Sequence, residues 1–321
     1  MKRVPALFMV LFISVPSFSQ DVQVRQAAVL LLEKADAATT PVRLPNLERT
    51  DTFRVFSNSG VIEGTFTRTV IQGTGRREET TFGDYHVLDV ITGPNLATVR
   101  NKELPPPEVI TLMRITPIFH VRFDHSDVIR GITNREVNGH VARCIEFDTV
   151  NGQKTEANEI CIDASNNTLL LQKMGDELIE YAEYFPFAQA LLPGRIDYSF
   201  DGARKMEITQ VMEAISETTP NVLVAPPNAD LRQACKTWRR PFGTYMPQPK
   251  PGNGGTNVDV VVRGRILEDG KIHDAEVQSS TRPDLNNEAL ALIQQWVFTP
   301  GLCNDRPGPF EALYALHFQG R

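Results

Sequence analysis

Residues 258–320 read VDVVVRGRILEDGKIHDAEVQSSTRPDLNNEALALIQQWVFTPGLCNDRPGPFEALYALHFQG, and the periods in this stretch decide how the chain divides. Val258, Val260, Val262 and Ile266 alternate with Asp259, Arg263 and Arg265, the pattern of a strand with one buried face. Asp269-Gly270 supplies the positive φ of a tight hairpin turn, and 272–279 returns with Ala275 and Val277 as inward candidates. From 286 to 297 the spacing becomes helical: Ala289, Ile293 and Trp296 form one stripe, with Asp284 or Asn286 available as N-cap. Pro300-Gly301 follows the helix, and Phe310, Ala312, Tyr314, Leu316 and Phe318 then alternate as a last strand. The expected order is ββαβ.

The motifs in this stretch are the Asp269-Gly270 turn, Asp274-Ala275 with Val277, Ser279-Ser280, Leu285, Trp296 with Phe298 and Pro300, then Asn304 and Pro307. In combination they resemble the C-terminal domain of TonB-family energy transducers. The resemblance implies a periplasmic domain that adds an extended segment of an outer-membrane partner to the edge of a small sheet. An unpaired strand edge offers the backbone donors and acceptors for this. Phe310, Ala312, Tyr314, Leu316 and Phe318 mark the candidate partner-binding edge strand. The chain departs from the family upstream. Where the family has a Tyr-Pro pair and a short helix, Tyr245-Met246-Pro247 runs into a stretch of Pro, Gly and Asn that cannot hold a stable helix.

The other end reads as an exported chain. Met1-Lys2-Arg3 is a basic start, 4–18 is an apolar run interrupted by Pro5 and Pro16, and Ser17-Phe18-Ser19 before Gln20 suits signal-peptide cleavage. An uncleaved anchor would need about 18 or more apolar residues, and the run is too short. The expectation is a cleaved signal peptide over 1–19 and a periplasmic or secreted mature protein, not integral to the membrane.

Of 321 residues, 41% are hydrophobic, enough for real cores, and the net charge of −6 with no basic patch argues against a nucleic-acid partner. Cys144, Cys161, Cys235 and Cys303 make an even count, which in an oxidising compartment means two bridges, with three possible connectivities. Cys144 with Cys161 is favoured, because 143–150 and 159–162 read as strands around Asn151-Gly152; Cys235 with Cys303 remains. That register sets Glu146 opposite Glu159, a like-charge pair unless a bulge offsets them. No CxxC occurs, so neither a redox motif nor a zinc knuckle is indicated.

Between these ends, 22–38 has helical spacing through Val24, Ala28, Leu31, Leu32 and Ala35. Alternating segments follow at 53–56, 61–71, 76–82, 85–92 and 96–101, then a helix after Pro105-Pro106-Pro107 to 115. Further strands are expected at 128–137, 141–150, 159–163, 168–173, 178–185, 195–200 and 205–214. The expected class is therefore α+β: a large curved antiparallel sheet with one or two helices over 20–215, a linker region over 216–256, and the small ββαβ domain over 257–321. Glu177-Leu-Ile-Glu-Tyr181 through Tyr184 and Phe187, with the 196–202 hairpin, resembles the half-barrel of LolA- and LolB-type lipoprotein carriers. That resemblance implies an apolar concave face and a lipid ligand; an unrelated β-sandwich stays open.

Catalytic patterns are absent. No histidine among His86, His120, His125, His140, His273 and His317 sits in a metal-ligand spacing, so no metal is expected. Asp124-His125-Ser126 holds the residue types of a hydrolytic triad, but neighbours in sequence cannot converge, and no GxSxG accompanies them. Gly73-Thr-Gly75-Arg-Arg77 reads as a hairpin turn rather than a phosphate loop, and Glu78-Glu79 as a solvated strand face. The expectation is a non-enzymatic envelope protein without cofactor. It would bind an envelope or outer-membrane protein by strand addition, or, alternatively, carry or sense an apolar ligand in the half-barrel.

Overall fold

The structure, a computed structural model, describes residues 18–58, 60–102, 105–116, 122–123, 127–151, 154–216, 222–235, 237–249, 258–280 and 282–318. Most of the signal segment and Asp124-His125-Ser126 with His120 lie outside the described residues.

Helix α1 (Phe18–Thr39) precedes β1 (Leu47–Ser57), β2 (Gly60–Ile71), β3 (Gly75–Phe82), β4 (Tyr85–Thr92) and β5 (Asn95–Arg100). After α2 (Pro107–Ile115) come β6 (Asp127–Val137), β7 (His140–Asn151), β8 (Lys154–Asp163), β9 (Leu169–Met174) and β10 (Glu177–Ala182). The short pair β11 (Phe185–Phe187) and β12 (Ala190–Leu192) leads to β13 (Arg195–Phe200) and β14 (Ala203–Ala214). Then follow β15 (Asp230–Gln233), β16 (Trp238–Arg239), β17 (Phe242–Tyr245), β18 (Val258–Ile266) and β19 (Ile272–Ser280). A 3-10 turn at Pro283–Leu285 runs into α3 (Asn286–Ile293), before β20 (Val297–Thr299), β21 (Leu302–Cys303), β22 (Arg306–Pro307) and β23 (Phe310–Phe318). Among the described residues thirteen strands share one sheet in the order β15-β5-β4-β3-β2-β1-β14-β13-β10-β9-β8-β7-β6, and β19-β18-β23 form a separate three-stranded sheet. The expected α+β class, a large antiparallel sheet followed by a small ββαβ frame, is what the chain adopts, with β20, β21 and β22 inserted between helix and last strand.

Two compact units emerge, and their boundary does not follow residue 215. One gathers 1–43, 56–58 and 116–210; the other gathers 44–55, 59–115 and 211–321. In the first, α1 buries Ala28, Leu31, Leu32 and Ala35, as its spacing predicts, and Arg25 donates to the carbonyl of Asp127 at 2.8 Å. β7 and β8 pair without a register shift, from Ala142 with Asp163 to Asn151 with Lys154. Ile145, Ile160 and Ile162 on one face and Cys144 and Cys161 on the other are fully buried. The strand expected over 178–185 is instead two. Glu183 takes a φ of 55°, and its carbonyl accepts from Gly194 N–H at 3.1 Å, which turns the chain out of β10. Asp201-Gly202, both at positive φ, closes the β13–β14 hairpin in the mirror-turn conformation that matches strand twist.

In the second unit, one face of the sheet is charged as well as apolar. Arg49 forms a two-pronged pair with Asp51, which is fully buried, and the Arg49 and Arg68 guanidinium groups lie 5.7 and 5.2 Å from the Phe66 ring centre. Glu78 and Glu79 are not a solvated face. Glu78 is contacted by Arg68 at 2.8 Å and Arg76 at 3.0 Å, and Glu79 by Arg77 and His86: the cross-strand register sets Arg68 opposite Glu78, while Arg76 and Arg77 each lie two residues back on the same face of β3 as their partner. Burial pulls the Arg68 guanidinium below its ordinary value, with Glu78 opposing.

The stretch 216–256 is more than linker. β15 adds to β5, β16 pairs with β21, and β17 pairs with β20. These pairings join residues up to 138 positions apart along the chain, as from Gln233 to Asn95 on one side and from Trp238 to Cys303 on the other, so no local period announces them.

Candidate partner-binding edge

β18 is the centre of the small sheet. Val260, Val262 and Ile266 are fully buried and Val258 nearly so, packed with Ala289, Ile293, Trp296, Phe298, Leu316 and Phe318. Each such side chain contributes on the order of 1.5–3 kcal/mol through burial. The helix is shorter than expected. It ends at Ile293, and its N-cap position is Leu285 without a side-chain cap bond, since the preceding 3-10 turn occupies Asp284. Trp296 still enters the core, its indole N–H donating to the carbonyl of Pro247 at 3.0 Å.

β23 flanks β18 with nine unbroken antiparallel pairs, from Val258 opposite Phe318 to Ile266 opposite Phe310. Among the described residues no strand pairs with its other side. The five residues expected to mark the edge have inward side chains. Leu316 and Phe318 are buried in the core, while Phe310, Ala312 and Tyr314 are half-buried. Tyr314 stands edge-on to Trp296 at 5.2 Å and tilted against Phe298 at 5.6 Å, and burial pushes its hydroxyl up to about 12. Their part is to anchor the strand, whereas Leu313, Ala315 and His317 face outward. Strict alternation was the signal that could have separated the two sets.

The opposite edge is built differently. β19 meets β18 with register shifts at Val261/Val262 and Arg263/Arg265, and Asp274 within it has a φ of 53°. Bulges of this kind twist an edge away from further pairing. Of the two edges, β23 is the regular one.

Ionic contacts hold the sheet's second face. Arg263, read from sequence as solvent-facing, is buried: it donates to the carbonyl of Pro105 and pairs with Glu276. Burial draws its guanidinium below the ordinary value. Arg265 pairs with Asp274, and Arg100 lies 3.7 Å from Glu311. Tyr85 is pushed up to about 12, first by burial and then by the Glu311 charge.

Both disulfides form as Cys144–Cys161 and Cys235–Cys303. Glu159 lies within 4.8 Å of the first pair, but both sulfurs are spent in the bond and are not metal ligands. Three of the four described histidines have carboxylate partners: His86 contacts Glu79, His140 contacts Asp163 and His273 contacts Asp269. Gly73 and Gly75 belong to the β2–β3 hairpin, where Thr74 N–H donates to the carbonyl of Ile71. No helix among the described residues is long and apolar enough to cross a membrane.

Comparison with known proteins places these features. No curated protein matches the sequence. Among solved structures, a LolA superfamily protein from Nitrosomonas europaea is 12% identical, covering 61% of this chain and 96% of its own, with a TM-score of 0.37. A putative outer membrane lipoprotein-sorting protein domain from Vibrio parahaemolyticus is 10% identical, covering 64% of this chain and 98% of its own, with a TM-score of 0.34. Residues 248–319 match the family model of the Gram-negative bacterial TonB protein C-terminal domain, and that match takes in β18, β19, α3 and β23 together.

Proposed function

We propose that this chain is a non-enzymatic binding module of the bacterial envelope, whose β23 edge takes up an extended segment of a partner protein. The observation that carries the reading is the asymmetry of the two edges: β23 is nine residues long and unbroken in register, while β19 is bulged. Strand addition needs a regular, unpaired row of backbone donors and acceptors, and β23 has the regularity. The TonB-like match over 248–319 supports an envelope or outer-membrane protein as the partner. Two disulfides and the basic, apolar start of the sequence support a periplasmic setting.

The test is titration of the isotope-labelled protein with extended peptides taken from the periplasmic termini of outer-membrane transporters, followed by amide NMR. Binding should move the resonances of Phe310–Phe318 before any others. If those amides stay in place while other parts of the protein respond, strand addition at β23 is wrong.

A further inference from the structure

A cavity of about 710 Å³ opens beside the first residue of β23, within the second unit. Four arginines reach it from four separate strands: Arg100 on β5, Arg232 on β15, Arg265 on β18 and Arg306 on β22. Arg232 lies opposite Leu96 in the β5–β15 pair, and Leu96 shares a strand face with Arg100, so register alone puts both cations on one wall. Arg265 lies opposite Glu311 in the β18–β23 pair, which sets it on the other wall. In a chain whose net charge is −6, this is a local concentration of cations.

The remaining lining is apolar. Trp238 is 54% exposed and stands edge-on to Phe310 at 6.3 Å, with Leu96, Pro307 and Pro309 beside them. The Cys235–Cys303 bond pins β16 to β21 and so holds Trp238 in place before any ligand arrives. Asp230 and Asp274 each engage one guanidinium, those of Arg232 and Arg265. Glu311 likewise lies 3.7 Å from Arg100. A guanidinium has five donors, so pairing with one carboxylate does not by itself exclude a second anion at the exposed Arg232. Glu268 and Glu311 also line the cavity, which leaves room for one anionic head group and disfavours a polyanion.

We propose that this cavity binds a small anionic amphiphile: one phosphate or carboxylate head held by the arginines, with an apolar body laid along Trp238 and Phe310. Its volume falls within the roughly 300–1,000 Å³ of small-ligand sites, and planar guanidinium groups suit both heads. The proposal stands on the cavity alone and does not depend on strand addition at β23.

Isothermal titration of the full chain with monomeric octyl phosphate tests it, with octyl glucoside and inorganic phosphate as comparison ligands. Octyl phosphate should bind at least tenfold more tightly than either. Raising the salt should weaken it, and R232Q/R306Q, at two exposed arginines, should lose tenfold or more while keeping the wild-type circular dichroism. Equal affinity for octyl glucoside overturns the role of the arginines, and equal affinity for inorganic phosphate overturns the role of the apolar body. Wild-type affinity in R232Q/R306Q overturns the site itself. Should that variant fail to fold, Trp238→Ala in its place is expected to lose octyl phosphate affinity and leave phosphate binding unchanged; unaltered octyl phosphate affinity overturns the proposal.

Discussion

Glu146 and Glu159 stand directly opposite each other across β7 and β8, and two residues of β6 supply what that pairing lacks. Thr133 donates its hydroxyl to Glu146 at 3.1 Å, and Arg135 pairs with Glu159. No bulge offsets the two carboxylates; a third strand hydrogen-bonds one and neutralises the other instead. The register is held on the same face, two residues along, by the Cys144–Cys161 bond.

Arg135→Ala should therefore cost about 0.5–1 kcal/mol in chemical denaturation, the range for a part-exposed ion pair set against a like-charge neighbour. Adding Glu159→Gln to that variant should return part of the loss. A double variant no better than the single one would show that the Glu146–Glu159 repulsion is already screened by solvent.

Gly270 closes the β18–β19 turn at a φ of 71°, and a Cβ there would come within 2.2 Å of the Phe298 carbonyl oxygen. Both terms oppose a side chain, and the second involves backbone that is itself bonded to Gly270 through Phe298 N–H at 2.9 Å. Gly270→Ala is expected to destabilise by about 1–3 kcal/mol. An unchanged denaturation midpoint would mean that β20 moves aside freely.

The two disulfides should differ in reactivity. Cys144 and Cys161 are fully buried, whereas Cys235 and Cys303 are half-buried and line the arginine-rich cavity. Mild phosphine reduction followed by alkylation and mass analysis should label Cys235 and Cys303 first. Their loop spans 68 residues against 17 for the other pair, so C235S/C303S is expected to lose about 4 kcal/mol and C144S/C161S about 3.

Tyr314 gives a pH dependence of definite sign. Its hydroxyl is raised to about 12 by burial, so between the ordinary tyrosine value and that point the unfolded chain releases a proton that the folded chain keeps. The associated stability is fully present below about pH 10 and falls as the pH climbs towards 12. Denaturation curves taken across that window should fall less steeply for Tyr314→Phe than for the unaltered chain. Parallel slopes would place the alkaline sensitivity elsewhere, with Tyr85 the next residue to replace.

Much of the small sheet was legible before folding. The valines of β18, the turn at Gly270 and the alternation of β23 are local periods, and a period carries its own face assignment. The β7–β8 hairpin likewise determined which cysteines meet, because a short connection sets the register of both strands. Three other points were decided only by tertiary structure. Arg263 is buried because Pro105, 158 residues away, covers it. β23 rather than β19 is the regular edge because of how each meets β18. Positions 100, 232, 265 and 306 converge on one cavity because β5 pairs with β15, and β16 with β21, across long stretches of chain, β22 folding back on β21 as a short hairpin. Periodicity determines which side of a strand is apolar; it carries no information about which distant strand lies alongside, and that is where the charged side chains found their partners.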